Sequence, residues 1–206
     1  MRVRRHVRNV VVGSVLAYGP MVLIHGACIA GYGPWVIAGV EAFLLVPLLA
    51  LLIGLLTLPF ALRDRTRQDA VAVVVVAAGL FLAMVPALLV SMKLRMVGFR
   101  LAAKRAEPLV QAVERHVKDH GVPPDKLSDL VPRYLPGLPF GTPELEIITG
   151  DRARKGFHGN EWALSAVVST GFINWDQFIY LPNQQYPERG HGGWLERVDR
   201  WAYVHE

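Results

Sequence analysis

The chain has only one cysteine, Cys28, among its 206 residues. An intramolecular disulfide is therefore excluded, and any domain outside a membrane must be held together by packing and hydrogen bonds. Charge is also scarce early in the chain, because Glu41 is the only formally charged side chain between Val10 and Leu62. A water-soluble domain does not tolerate so long an apolar stretch, so the sequence implies lipid as the solvent for this part.

The sequence also lacks the pattern of a nucleic-acid-binding protein. Its formal net charge is +5 and its pI is about 9.6, which alone would suit an anionic partner. No basic stripe is interleaved with aromatic residues, however, and many basic residues directly flank the apolar runs. Basic residues in those places are typical of membrane topology signals. We therefore expect the lipid bilayer, and no nucleic acid, among the partners.

Three apolar runs are long enough to cross the hydrocarbon core of a bilayer, which takes about 20 residues. They cover approximately residues 10–30, 35–58 and 70–92. The sequence thus predicts a transmembrane domain of three helices over residues 1–93, followed by a soluble α+β domain over residues 94–206.

The orientation follows from the Lys and Arg residues near the ends of these runs. Seven lie on the side of the N-terminus and of the loop before the third run, against five shortly after that run. We predict a multi-pass protein of the bacterial inner (plasma) membrane, with its N-terminus in the cytoplasm and its C-terminal domain in the periplasm.

Two ionisable side chains lie inside the predicted spans, where such groups are costly unless they are paired, protonated or near the interface. His25 stands six residues before Gly31 and Glu41 seven residues after Pro34, on either side of a tight turn. Both then lie at a similar depth, and we predict that they pair across the helical hairpin. Such a pair either locks two helices by a hydrogen bond or forms part of a proton or ion path.

Small residues recur every four positions in the third run, at Gly79, Ala83 and Ala87. This small-xxx-small spacing lets another helix approach closely. We predict that these three residues pack against a helix, either within the bundle or in a dimer.

Beyond the third run an amphipathic pattern continues to His120, so the membrane helix is expected to extend outward. Pro108 predicts either a bend near Glu107 or a new helix with the proline in its first turn. Gly121 should end the helix, and a short helical turn should cover residues 125–131. Four later segments predict a small antiparallel sheet. These segments are Glu144 to Ile148, Trp162 to Ser169, Gln177 to Leu181 and Trp201 to Val204.

The C-terminal half resembles a known domain family. A helix ending in the segment from His116 to Pro123, a Leu-rich turn from Leu127 to Leu135 and a terminal sheet resemble the domain of type IV pilins and type II secretion pseudopilins. The resemblance covers roughly residues 101–206 and implies a long helix packed on an antiparallel sheet. This chain has three apolar runs in place of a leader and one helix. It is therefore similar to uncharacterised bacterial membrane proteins that carry a pseudopilin-like domain behind a different anchor, and filament assembly is not implied.

The residues suggest no catalytic centre, cofactor or metal site. His116 and His120 share a helix face, but Val117 stands where an HExxH zinc site needs glutamate. The polar loop 183–193 offers Asn183 and Glu188 but lacks the aspartates that a calcium site favours, so we interpret it as a connection. No serine lies in a nucleophile elbow, and we predict that the protein is not an enzyme.

Three functional hypotheses remain. The first is a membrane protein whose extracytoplasmic domain makes protein contacts in the cell envelope, in a secretion or pilus-related assembly or as a homo-oligomer. The second is a small transport or ion-coupling subunit that uses His25 and Glu41. The third is an extracytoplasmic sensor of a ligand or metal. Replacing Glu41 by Gln should abolish the second activity and spare the first.

Overall fold

The computed structural model describes residues 2–33, 35, 42–169, 175–187 and 193–205. The chain divides into two compact units, which we call the helical unit and the sheet unit. The helical unit comprises Met1–His25 and Gly39–Leu94, and the sheet unit comprises Gly26–Ala38 and Arg95–Glu206. Two of the helices contribute residues to both units.

The apolar runs form three long helices, as predicted. Helix α1 covers Arg2–Ala30, α2 covers Ala42–Thr57 and α3 covers Arg67–His120, with a 3₁₀ turn over Leu58–Leu62 after α2. Helix α1, helix α3 and the helical segment Leu45–Leu62, which joins most of α2 to the 3₁₀ turn, are each long and apolar enough to cross a membrane. Within the most apolar window of α3 only 6% of the residues are buried. The apolar side chains therefore cover the outside of the helices, which suits a lipid solvent.

Glycines bring the helices of the helical unit close together. A Cβ atom placed on Gly79 of α3 would lie 2.7 Å from the side chain of Val10 in α1, and one on Gly54 of α2 would lie 2.9 Å from Ala77. The hydroxyl group of Tyr18 also donates a hydrogen bond to the carbonyl oxygen of Leu80 over 2.8 Å. Small residues allow this approach, because helices in lipid associate through close packing and polar contacts.

Helix α3 is one element of 54 residues and runs through Pro108 without interruption. The expectation of a new helix starting at Pro108 is therefore wrong. The proline removes one backbone hydrogen bond, but Ala106, Leu109 and Val110 around it are each at most 1% exposed. Packing of this face stabilises the helix by more than the missing bond costs.

The helix ends as its sequence predicts. Gly121 adopts a positive φ of 76°, and its N–H group donates to the carbonyl oxygen of Val117 over 2.8 Å. Glycine adopts this left-handed conformation at low cost and commonly ends helices. A 3₁₀ turn over Leu127–Leu130 follows and buries both of its leucines, which confirms the predicted helical turn.

The remaining chain forms a five-stranded antiparallel sheet in the order β1-β2-β3-β5-β4. A short helix α4, Gly150–Gly156, lies between the first two strands. The structure thus confirms an α+β chain with three long apolar helices and a small antiparallel sheet. Each of the four predicted segments overlaps a strand, whereas β4 and α4 were missed. The strands are β1 Glu146–Thr149, β2 Trp162–Val167, β3 Gln177–Tyr180, β4 Trp194–Val198 and β5 Trp201–His205.

The core of the sheet unit is a stack of aromatic rings between the second half of α3 and the sheet. The ring of Phe99 lies 5.0 Å from that of Phe178, and Phe178 lies 4.7 Å from Trp201. On its other side Phe99 stacks against Trp35 at 5.4 Å. Fully burying a residue of this size stabilises a fold by about 1.5–3 kcal/mol. This core fixes the end of α3 and the adjoining loops, where the candidate site lies.

Candidate functional site

The C-terminal end of α3 carries a group of polar and aromatic side chains that we call the helix-end cluster: His116, Asp119, His120 and Tyr134. His116 and His120 lie one helical turn apart, and their rings stack with centroids 4.3 Å apart. Tyr134 follows the 3₁₀ turn and donates its hydroxyl hydrogen to Oδ2 of Asp119 over 2.9 Å. Its hydroxyl oxygen also lies 3.4 Å from Nδ1 of His120.

Backbone contacts and two arginines hold Tyr134 in this place. Its N–H group donates to the carbonyl oxygen of Leu130 over 2.8 Å, and Leu130 is fully buried. The guanidinium group of Arg115 donates to the carbonyl oxygen of Tyr134 over 2.8 Å, and that of Arg133 lies 5.3 Å from its ring centroid. The tyrosine ring therefore has a defined orientation at the protein surface, which lowers the entropy cost of a contact with another molecule.

A cleft of about 400 Å³ adjoins the cluster, and we call it the helix-end cleft. Nδ1 of His116 lies 3.1 Å from the carbonyl oxygen of Val122, and Val122 lines the cleft. The side chain of Val122 is 59% exposed. Charged groups of both signs line the opposite part, where Arg154 lies 4.0 Å from Glu161. The cleft therefore offers an apolar contact beside a polar pair.

The described residues contain no group of three or more His, Cys, Asp and Glu side chains placed to hold a metal ion. In the helix-end cluster, Nδ1 of His120 lies 3.1 Å from the carbonyl oxygen of His116, so this nitrogen faces the backbone of its own helix. In the polar loop, the side chain of Asn183 contacts the N–H group of Gln185 and the carbonyl oxygen of His158. That asparagine organises the local backbone. Glu188 lies outside the described residues.

A second polar group lies at the other end of the sheet, and it was not predicted from the sequence. Asp176, just before β3, is fully buried. Its Oδ2 accepts a hydrogen bond from the hydroxyl group of Tyr203 over 2.5 Å, and its Oδ1 lies 2.7 Å from Nδ1 of His205. Burial, and then the hydrogen bond to Asp176, raise the pKa of Tyr203. The phenol therefore stays protonated and links β5 to the start of β3.

The buried side chain of Arg95 lies beside this group. Its guanidinium carbon lies 4.9 Å from the ring centroid of Phe99 and 5.6 Å from that of Tyr203, and its Nη2 donates to the carbonyl oxygen of Val168. A cation over an aromatic face is attracted by the ring's quadrupole. These contacts join α3 to the end of β2. The sequence holds one indication of this group, because Asp176 directly precedes the aromatic-rich strand β3. Its partners Tyr203 and His205, however, are distant along the chain.

Of the predicted pair of His25 and Glu41, the structure describes only His25. His25 is buried, with 4% of its surface exposed. Glu41 lies outside the described residues, so the pairing stays a prediction. Of the residues predicted for helix packing, Gly79 lies against Val10, whereas Ala83 and Ala87 are half-buried.

The helix-end cluster with its cleft is thus the candidate site of the sheet unit. It has defined side chains, partial exposure and both apolar and charged surface. No protein-family model, curated protein or solved structure matches the chain.

Proposed function

We propose that this chain is a non-enzymatic membrane protein that presents the helix-end cluster to a protein partner in the cell envelope. The observation that carries the proposal is the division of α3 into two kinds of surface. The first half is apolar, and almost none of it is buried. The second half buries one face in the core of the sheet unit and ends at His120, inside the cluster.

The membrane part of the proposal rests on length and composition. The three helices reach mean hydropathies of 1.7, 2.5 and 2.8 over their most apolar windows. The bias of basic residues toward the N-terminal side supports a cytoplasmic N-terminus and a periplasmic sheet unit. In α3, His120 follows Met92, the end of the predicted span, by 28 residues. The cluster therefore belongs to the part of the helix beyond the apolar run.

The chemistry of the cluster supports a protein partner over a small substrate. Tyrosine and arginine are enriched among the residues that dominate protein interfaces, and Tyr134 is flanked by Arg115 and Arg133. Val122 adds exposed apolar surface at the edge of the helix-end cleft. The resemblance of residues 116–135 to pseudopilins supports an envelope partner, in a secretion or pilus-related assembly. A second copy of the chain is the other partner that this surface suits.

Membrane insertion and orientation can be tested with the full chain in bacterial membranes. The protein should stay in the pellet after an alkaline carbonate wash. A C-terminal alkaline phosphatase fusion should be active, and a C-terminal green fluorescent protein fusion should be dark after export through the Sec pathway. Release by carbonate would contradict the anchor, and the reverse reporter pattern would contradict the orientation.

The partner surface can be tested by site-specific photo-crosslinking in native membranes. A photoreactive benzoylphenylalanine replaces Val122 at the helix-end cleft, or Glu196 on β4 as an exposed control. We expect a discrete crosslinked product from position 122 and none from position 196. Mass spectrometry would then identify an envelope protein or a second copy. Equal products from both positions, or none from position 122, would contradict the proposed surface.

A further inference from the structure

A cavity of about 1150 Å³, widely open to the outside, lies between helices of the helical unit and has no role in the function proposed above. One part of its lining is polar and comes from the first turns of two helices. These residues are Arg5, His6 and Asn9 of α1 and Arg67, Gln68 and Asp69 of α3. The cavity is larger than most small-molecule pockets, which span about 300–1,000 Å³.

The rest of the lining is apolar. Ile53 of α2 faces the cavity, as do Val76 and Leu80 of α3. On α3 the lining residues begin at Arg67 and reach Leu80, so the wall changes from charged to apolar along about 20 Å of helix. This is the polarity profile of an amphiphile, with a polar head at one end and an apolar chain at the other.

The charge of the polar part selects the head group. Arg5 and Arg67 both line it together with His6, and Asp69 is the one carboxylate among the described residues of the lining. A guanidinium group binds phosphate through parallel hydrogen bonds. The N-terminus of α3, which begins at Arg67, adds the positive end of the helix dipole, while the N–H groups of Arg67 and Ala70 already donate to the carbonyl oxygens of Arg63 and Thr66. The excess of positive charge in this part of the lining therefore favours an anion with several oxygen acceptors.

The apolar wall distinguishes between a lipid and a free anion. An inorganic phosphate would gain nothing from Ile53, Val76 and Leu80, because these side chains contact only apolar groups favourably. An acyl or prenyl chain would cover them, and its close packing against these side chains adds to the affinity. Basic pockets between transmembrane helices commonly bind anionic lipid head groups.

We infer that this cavity binds a lipid with a phosphate-bearing anionic head group. Arg5 and Arg67 hold the phosphate, and the apolar chain lies along Ile53, Val76 and Leu80. The inference depends on the membrane anchor of the proposed function and is independent of the protein partner.

The test uses the purified full chain in an uncharged detergent and counts bound lipids by native mass spectrometry. The probes are dioleoyl phosphatidylglycerol and dioleoyl phosphatidylcholine, which share their chains and differ in head-group charge. We expect one phosphatidylglycerol to bind at a concentration at least about tenfold below that needed for phosphatidylcholine, because both lipids offer a phosphate to the two arginines but the quaternary ammonium group of phosphatidylcholine is repelled by them. Equal binding of the two lipids would overturn the inference.

Two double variants distinguish binding in the cavity from nonspecific attraction to the other arginines near the N-termini of α1 and α3. R5Q/R67Q removes the two arginines of the lining, and R4Q/R65Q removes two exposed arginines that stand close to them in sequence but outside the lining. The first should weaken phosphatidylglycerol binding at least about tenfold, and the second by less than about twofold. Equal losses of phosphatidylglycerol binding in the two double variants would mean that surface charge alone attracts the lipid, and they would overturn the proposed site. Should R5Q/R67Q fail to fold, R5K/R67K keeps the charge but not the paired hydrogen bonds, and a loss larger than in R4K/R65K is expected.

A third comparison distinguishes the lipid from a free phosphate. Inorganic phosphate at about a thousandfold excess should not displace the lipid, since the apolar wall contributes only to lipid binding. Ala72→Leu, which fills part of the apolar lining, should weaken lipid binding as well. Displacement by phosphate together with no effect of Ala72→Leu would overturn the lipid assignment. Loss of the chain from carbonate-washed membranes would instead contradict the membrane anchor, so the two failures are distinguishable.

Discussion

Nδ1 of His205, the last described residue of β5, lies 2.7 Å from Oδ1 of the fully buried Asp176. The other carboxylate oxygen accepts the hydroxyl hydrogen of Tyr203 over 2.5 Å. One side chain before β3 therefore holds two residues of β5. A buried carboxylate without such contacts would be strongly destabilising, so the sheet depends on this arrangement.

Asp176→Asn is expected to lower the free energy of unfolding of the sheet unit by about 1.5–3 kcal/mol, because the amide has one acceptor oxygen where the carboxyl group has two and cannot keep both contacts. Urea unfolding of the full chain in an uncharged detergent can measure this loss by tryptophan fluorescence. All five tryptophans lie in the sheet unit, so the signal reports on that unit. Asp151→Asn, at an exposed position of α4, is the control and should change the free energy by less than about 0.5 kcal/mol.

A second prediction concerns Arg200, in the turn between β4 and β5. Its Nη1 lies 3.0 Å from Glu107 and its Nη2 lies 3.1 Å from Glu114, two turns further along α3. Lysine offers one ammonium group and cannot replace this fork. All three side chains are more than a third exposed, so solvent screens the pairs. We expect Arg200→Lys to cost only about 0.5–1 kcal/mol.

The ionic part of this cost should shrink in about 1 M salt, where the Debye length is about 3 Å. Urea midpoints at low and high salt measure the difference. Arg152→Lys is the matched control, because Arg152 lies 3.9 Å from Glu146 and both side chains are far more exposed. An equal cost in both variants, or a cost that does not depend on salt, would contradict an ionic link through Arg200.

The parts of the fold that follow from local pattern were predictable. The scarcity of charge from Val10 to Leu62 and within residues 70–92 predicts the apolar helices. Gly121 ends α3 because glycine adopts its left-handed conformation easily. Strand β4 was missed for a physical reason. Glu196 and Arg197 of this strand are exposed, and it lies at the edge of the sheet. Charged residues are common on edge strands, and pairing with β5 decides the structure there.

The polar groups of the sheet unit were not predictable in the same way. Arg95, Asp176 and Tyr203 meet only after α3, β3 and β5 have packed, and no spacing in the sequence links them. The helix-end cluster was partly visible, since His116 and His120 are one turn apart in a predicted helix. The place of Tyr134 depends on the 3₁₀ turn and its contact with Leu130. These contacts between distant residues depend on tertiary packing, so the local sequence pattern does not predict them.

Pro108 gives a third prediction, because the sequence suggested a break where the helix continues. Alanine at this position would supply an N–H group for the carbonyl oxygen of Lys104 and remove the clash of the proline ring. Pro108 is exposed, so the change leaves the core intact. We expect Pro108→Ala to raise the free energy of unfolding of the sheet unit by about 1–3 kcal/mol.

Tryptophan fluorescence during urea unfolding again provides the measurement for Pro108→Ala. Pro136→Ala, at an exposed position outside the helices, is the control and should not stabilise the chain, since it supplies no N–H group to a helix. A lower stability of Pro108→Ala would contradict the prediction and show that a bend at the proline is needed to seat α3 on the sheet.

The last prediction is a loss of stability at alkaline pH through Tyr186. Burial raises the pKa of its phenol to about 12, whereas an unfolded tyrosine titrates near 10. Between these values the folded state holds a proton that the unfolded state has lost, so the free energy of unfolding falls as the pH rises from 10 to 12. Below pH 10 the full contribution, at most about 2.7 kcal/mol, is present.

Tyr186→Phe removes this titration together with two hydrogen bonds. The phenol oxygen accepts from the N–H group of Leu181 over 2.8 Å and donates to the carbonyl oxygen of Arg200 over 2.7 Å. The variant should be less stable at pH 8 but should lose less stability than the wild type between pH 10 and 11. Tyr32→Phe removes an exposed phenol and serves as the control. Parallel alkaline losses in Tyr186→Phe and the wild type would mean that Tyr186 does not link folding to pH, because its proton would then be held equally by both states.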